Sequence, residues 1–422
     1  MFAHSFKEEE VAGSTVVDDV IPDLSDPRTF VDAVPHDGFR LLRERDGLYW
    51  QPTKTSPARG GYWAVTRFED IVAIERDPSA FTSTHGVSYP MIFPFPAPAP
   101  MCDNLMFNDP PRHTGLRRAA AAGFGPRVVA NFDPWVREIV REVIADVESL
   151  TEFDYVEKFA RTIPAYVIGR VLGCPREDRQ RIVDWTIDLF AAGQQTEDGM
   201  AAQIAAVQRV QEEIQDYCAD MQERKRKEPA DDMFTALGRI RDAGDITQPE
   251  FLQWTLLIMT AGFETTHTAI GQSMRMILEN EDIRAATDRA VDEGLSGKLA
   301  DEFIRFITPA MQMARLATRD VEVAGTQVLQ GDAVVLYFVA ANRDPSAFAE
   351  PDTFNPWRTE TKTLAFGSGI HRCIGSYLAK LEVQILFEEL RAAGIRLRSN
   401  GAPKRGWSNF INQLTELPVA RA

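Results

Sequence analysis

Apolar residues recur every three to four positions along most of this chain, the spacing of a helix with one buried face. Asp133-Pro134 opens one such run, an N-cap followed by a first-turn proline. Val136, Val140, Val143, Val147 and Leu150 then form one stripe, and Arg137, Glu138, Arg141 and Glu142 fill the other face. The same periodicity predicts helices over residues 160–174, 177–192, 201–225, 232–242, 250–280, 282–292 and 297–308. The longest starts at a capping-box pattern, Thr247-x-x-Glu250 with Pro249 in the first turn, and stays apolar through Leu252, Leu256, Ile258, Met259, Ile270 and Met274. Strand-like runs are fewer: Tyr62 to Thr66, Val321 to Val323 and Ala333 to Phe338. The expected fold class is mainly α with small β-sheets.

At 422 residues and 44% apolar, the chain can bury a large core. Length alone suggests two or three domains, but no Gly/Ser linker, repeat or charge block marks a boundary in the interior, and residues 1–18 read as a flexible tail. No apolar segment long enough for a signal peptide or membrane span follows Met1, and the four cysteines have no regular spacing. A soluble, cytoplasmic protein without a disulfide framework is expected. A net charge of −16 argues against nucleic acid and anionic membranes as partners. Met91 to Met101 interleaves Pro94, Pro96, Pro98 and Pro100 with Phe93 and Phe95, which forbids a helix there. It reads either as a surface linker or as a loop touching something apolar.

Two segments carry candidate chemistry. In Phe366-Gly367-Ser368-Gly369-Ile370-His371-Arg372-Cys373-Ile374-Gly375, Gly367 and Gly369 permit backbone angles closed to other residues, so a tight turn can pass close to a flat ligand. Gly375 gives clearance on the far side. Cys373 precedes the apolar run Leu378, Leu381, Val383, Ile385 and Leu386, where helix-start N–H groups would stabilise a sulfur anion. Read from residues alone, Cys373 is a thiolate under a metal, a small core cysteine as Cys102, Cys174 and Cys218 are expected to be, or a zinc ligand with His371. Zinc lacks a second Cys or His pair at finger spacing. The other segment, Ala261-Gly262-Phe263-Glu264-Thr265-Thr266, interrupts the long helical pattern. A mid-helix glycine costs about 1 kcal/mol against alanine, and adjacent threonines compete for backbone carbonyls. Small residues here would let a flat ligand approach, and a hydroxyl reaching back to a carbonyl would open a groove. The alternative is a kinked core helix with a satisfied Glu264.

The ten-residue string resembles the haem-binding loop of the cytochrome P-450 family, matching Phe-Gly-x-Gly-x-His-x-Cys-x-Gly at every fixed position, and Ala261 to Thr265 resembles that family's oxygen-activation motif. Over about residues 20 to 420 the chain is similar to bacterial, soluble haem-thiolate monooxygenases. The resemblance implies one continuous, triangular-prism-like domain over residues 19–422, with haem b (iron protoporphyrin IX) between the long central helix and the cysteine loop. It implies Cys373 as the metal ligand, with Ala261, Gly262, Phe366, Gly367 and Gly375 around the cofactor. His113, Arg117, Arg315 and His371 would pair with the haem carboxylates. Glu264 and Thr265 would deliver protons as the O–O bond of dioxygen breaks, and His267 could join that relay. Glu302 and Arg305, with Arg358 of Phe354-Asn355-Pro356-Trp357-Arg358, would form a structural network.

Substrate walls implied by the same resemblance come from Phe93 and Phe95, the region from Leu189 to Gly199, Phe263, Ile307 to Met313 including Met311, and Phe410 and Ile411. They are largely apolar, so the expected substrate is a hydrophobic small molecule such as a terpenoid, steroid or other aliphatic compound. The expected reaction is hydroxylation with O2 and two electrons. No appended flavin or nicotinamide domain is expected, and Gly367-x-Gly369 runs to Arg372 rather than to a third glycine. Electrons would therefore come from a ferredoxin or flavodoxin with its reductase, docked near Arg117, Arg118, Arg372 and Lys380; Arg112 falls in the same region. Two rivals are a peroxide-driven peroxygenase, which has no use for the acid–alcohol pair, and a non-enzymatic haem protein that binds a ligand.

Overall fold

The capping box sets the axis of the molecule. In a computed structural model, which describes residues 21–53, 60–92, 105–121, 123–193 and 200–422, Glu250 Oε2 accepts the Thr247 N–H at 2.7 Å and Thr247 Oγ1 accepts the Glu250 N–H at 3.3 Å. The helix they start, Gln248–Glu279, runs for 32 residues, with Phe251, Trp254, Met259 and Ile270 buried along it. Helices Thr162–Leu172, Met200–Lys227, Ser296–Ile307 and Ser376–Ala392 pack around it and share its large apolar cluster. Glu250 also accepts from Arg112 Nε at 2.9 Å, which ties the start of the long helix to helix Arg112–Ala121.

The other predicted helices appear as Asp133–Asp146, Arg179–Gly193, Met233–Asp242 and Glu281–Asp292. The helix expected from residue 160 starts earlier and differently. Val156–Arg161 is a wider π-helical turn that passes into Thr162–Leu172, and Gly173 ends that helix at φ 90°. Helices His36–Glu44 and Phe68–Glu75 were not anticipated, because eight or nine residues hold too few turns for the period to stand out.

Five strands form the main sheet in the spatial order Tyr49–Pro52, Gly61–Val65, Ala333–Leu336, Met313–Ala317, Phe81–Thr82. Ala333–Leu336 is central and buried at every position, which is why it reads as an unbroken apolar run. It ends at Leu336, short of the expected Phe338, because Phe338–Ala341 turns into a short helix. Its antiparallel neighbour Met313–Ala317 pairs Arg315 with Val334. Two smaller apolar clusters cover the sheet's faces. The expected tail, residues 1–18, and Phe93 and Phe95 of the Pro-rich segment lie outside the described residues.

Candidate active site

The cysteine loop rests on the end of helix Phe68–Glu75, and its two glycines are what allow this. Gly367 and Gly369 adopt φ values of 63° and 61°. A Cβ on Gly369 would stand 2.1 Å from the carbonyl oxygen of Glu75, and one on Gly367 would stand 3.2 Å from Glu75 Oε1. The turn closes where the Cys373 N–H meets the Phe366 carbonyl at 2.8 Å. Cys373 is solvent-accessible, yet burial raises its thiol pKa, so it lines a recess inside the protein rather than the outer surface. The Gly375 N–H and the charges of Arg372 and Arg117 oppose that rise and favour a sulfur anion. A Cβ on Gly375 would meet no atom within 4 Å, so the space beside it is open.

On the long helix, Ala261 is exposed although Met259 and Phe263 beside it are buried, and Gly262, Glu264 and Thr265 are partly accessible. Thr265 Oγ1 donates to the Ala261 carbonyl at 3.1 Å, as expected, while the helix continues unbroken. Glu264 has no hydrogen bond among the described residues, and burial pushes its carboxyl up to about 7. Gly262 faces a neighbour: its Cβ would come within 2.8 Å of Ile168 Cδ1, so close helix packing is a reason for this glycine that the local sequence pattern did not reveal. Phe263 is buried against His267, their rings stacked at 5.6 Å, and burial with the nearby Arg161 charge holds His267 down to about 3.

Four basic residues scattered from 113 to 371 meet beside the cysteine loop. The rings of His113 and His371 lie 4.5 Å apart. Arg117 Nη2 donates to the Arg372 carbonyl at 2.6 Å, and Arg315 Nη1 donates to the Ala314 carbonyl at 2.7 Å. Burial, then the fields of His371, Arg117 and Arg315, hold His113 down to about 4. Its Nε2 is buried without a hydrogen-bond partner. Two acids missed in the sequence sit among them. Asp109 accepts from Ser83 Oγ at 2.9 Å and has its Oδ1 3.9 Å from His371 Nε2, and Glu75 Oε1 is 3.7 Å from Arg315 Nη2. Asp109 stood in plain view beside Pro110-Pro111, but nothing local linked either acid to the site.

The supporting pair is fully formed. Arg305 Nε and Nη2 each donate to Glu302 at 2.8 Å, and Arg358 Nε lies 3.4 Å from the same carboxylate. All three are nearly buried, and Arg358 Nη2 also holds the Thr353 carbonyl at 3.0 Å. Of the expected substrate residues, Met311 donates its N–H to the Phe410 carbonyl at 2.7 Å, and Ile411 bridges Ala310, so these converge. Among the cations proposed for docking, Lys380 is bound to Asp301, and Arg112 to Glu250. Arg118 and Arg372 are exposed with no ion pair among the described residues.

A recessed thiol, an exposed stretch on a buried helix and a basic cluster with an unpartnered ring nitrogen fit a flat, dianionic metal cofactor held through sulfur. Among the described residues no helix is long and apolar enough to cross a membrane. The family model described as Cytochrome P450 matches residues 94–390. The chain is 30% identical to a steroid C26-monooxygenase of Mycobacterium tuberculosis (strain ATCC 25618 / H37Rv), over 97% of this chain and 96% of that protein. It is also 30% identical to a methyl-branched lipid omega-hydroxylase of Mycobacterium bovis (strain ATCC BAA-935 / AF2122/97), over 92% and 91%. The solved structure of Mycobacterium marinum cytochrome P450 CYP268A2 in complex with pseudoionone matches with a TM-score of 0.85 at 25% identity, covering 98% of this chain and all of that one.

Proposed function

Because the chain belongs to the cytochrome P450 family of monooxygenases, we propose that Cys373 ligates the iron of haem b and that the protein hydroxylates a hydrophobic small molecule of the steroid or methyl-branched lipid class. The observation that carries this reading is the recessed Cys373 thiol beneath the Gly375 N–H and beside Arg117 and Arg372. Haem supplies the binding and reductive splitting of dioxygen, with electron density pushed from the thiolate.

The remaining work falls to this chain's own groups. Arg117 and Arg315 neutralise the cofactor's carboxylates, while His113 and His371 hydrogen-bond them as neutral rings, the unpartnered Nε2 of His113 serving as donor in the tautomer that protonates it. Ala261 keeps the helix surface low. Thr265 gives its own proton to Ala261, so its oxygen offers lone pairs to a protonated partner in the groove. Glu264, with a pKa of about 7, holds a proton that it can give and regain near neutral pH. Both residues in place favour the use of O2 and electrons over a peroxide-driven reaction. Met311, Phe410 and Ile411 supply apolar walls for the substrate.

Electrons would come from a ferredoxin or flavodoxin docked at Arg118 and Arg372, with Arg117 behind them; Lys380 is already engaged by Asp301. Arg118→Glu and Arg372→Glu should slow the first electron transfer and flatten its salt dependence. Unchanged kinetics reject that surface. The reading as a whole is tested by the purified protein. It should bind haem and show the thiolate-specific absorption of the ferrous carbon monoxide complex, lost in Cys373→Ser. An imidazole-type spectrum rejects it. A panel of steroids, methyl-branched lipids and terpenoids, screened by the ferric spin-state change, then identifies the substrate.

A further inference from the structure

Glu75 is unused in the mechanism above, although it is the carboxyl on which the cysteine loop rests. It is the last residue of helix Phe68–Glu75 and is 5% exposed. Gly367 and Gly369 are shaped around it, and its carboxyl accepts the Ser368 N–H. Arg315 Nη2 stands 3.7 Å from Oε1, too far for a direct hydrogen bond. Oε2 is buried and has no hydrogen-bond partner, as is His113 Nε2 within the same cluster.

The surroundings decide which form of this acid belongs there. Arg315 faces it from the sheet and the Ser368 N–H from the loop, and the ring of Phe338 lies beside Gly367. His371 and Asp109 lie beyond Arg315, whose guanidinium feels both Glu75 and Asp109. Arg315 is thus shared among carboxylates before any cofactor arrives. Two further carboxylates from the haem would leave an ionised Glu75 facing like charges in a poorly hydrated site. A neutral Glu75 has an Oε2 proton that no atom of the protein accepts. Burial pushes its carboxyl up to about 7, against the opposing pull of Arg315 and the Ser368 N–H, so the neutral form is accessible near neutrality.

Resting on the haem reading above, we propose that Glu75 is a further cofactor-binding residue: as a neutral acid it links the cysteine loop to Arg315 and donates its Oε2 proton to a carboxylate of the haem. The carboxyl then bridges both attachments of the cofactor, the sulfur-bearing loop and the cationic cluster.

The test follows transfer of haem from the holoprotein to excess apomyoglobin between about pH 6 and about pH 9, for the wild type, Glu75→Gln and Glu75→Leu. The carbon monoxide spectrum is recorded alongside. Wild-type transfer should accelerate about tenfold across that range as Glu75 ionises and repels the cofactor. Gln keeps the shape and a permanent N–H donor, so its transfer should stay slow and change by less than about twofold. Leu should lose haem about tenfold faster than Gln at every pH, having no donor. A Gln profile that tracks the wild type overturns the proposal, even if Leu fails to fold. Equal retention by Leu and Gln also overturns it. A wild type without the thiolate band overturns the haem reading itself, and this proposal with it, whereas a normal band with three coincident profiles removes only the role of Glu75.

Discussion

Thr265 donates its hydroxyl proton to the carbonyl of Ala261, one turn earlier, at the point where the buried long helix becomes accessible. Replacing Thr265 with Ala removes the acceptor oxygen and leaves the Ala261 carbonyl with its helical N–H bond alone, without touching the apolar walls. Electron consumption should continue while product per electron falls about tenfold and hydrogen peroxide appears instead. Thr265→Ser should retain most coupling. Parallel assays of peroxide, product and reductant consumed check this, and full coupling in Thr265→Ala would remove Thr265 from proton delivery.

Glu264 links activity to stability. Its carboxyl has a pKa of about 7 in the fold against an ordinary 4.5, and burial is the cause. The folded state therefore holds a proton that the unfolded state releases, so stability contributed by the neutral form is lost as pH rises from about 4.5 to about 7. Glu264→Gln should flatten that slope and be more stable than the wild type at pH 8, by up to about 3 kcal/mol. Turnover should fall at least about tenfold and lose its pH dependence near neutrality. Denaturant unfolding and rate profiles across this range test both halves.

The loop glycines should separate folding from cofactor binding. Gly369→Ala forces alanine to φ 61° and places a Cβ 2.1 Å from the Glu75 carbonyl oxygen. A loss of at least about 3 kcal/mol is expected from the strained angle and the overlap together. Gly375 has φ −84° and nothing within 4 Å of the would-be Cβ. Gly375→Ala should therefore leave the stability of the haem-free protein within about 0.5 kcal/mol while reducing haem retention. Unfolding midpoints of haem-free protein and haem content per chain distinguish the two.

Glu302 neutralises two buried guanidinium groups, those of Arg305 and Arg358. Glu302→Ala strands both charges, and a loss of about 3–5 kcal/mol is expected. Glu302→Gln keeps acceptor and donor positions and should lose less. Calorimetric unfolding ranks the three, and equal stability of Ala and wild type would deny the network its structural role.

Local signals carried well from sequence to structure, and long-range ones did not. The Thr247–Glu250 cap, the long helix and the two loop glycines each lie within a few residues, where spacing alone speaks. The cation cluster joins residues 113, 117, 315 and 371, which only a family pattern could gather; the fold brings them to one place. Glu75 and Asp109 escaped notice because the basic partners that draw them into the site, Arg315 and His371, lie more than two hundred residues away and their own helices are short or begin after them. Gly262 looked like clearance for a flat ligand, but its packing against Ile168 depends on a neighbouring helix that no local window contains.

Glu250 caps the long helix and grips Arg112, whose helix also carries His113 and Arg117. The helix that carries Glu264 and Thr265 and the helix that carries two of the four clustered basic residues are thereby hung from a single hook. Slack at that hook would shift both helices together, so a change some four turns from the threonine would reach the acid, the hydroxyl and the basic cluster without altering any of them.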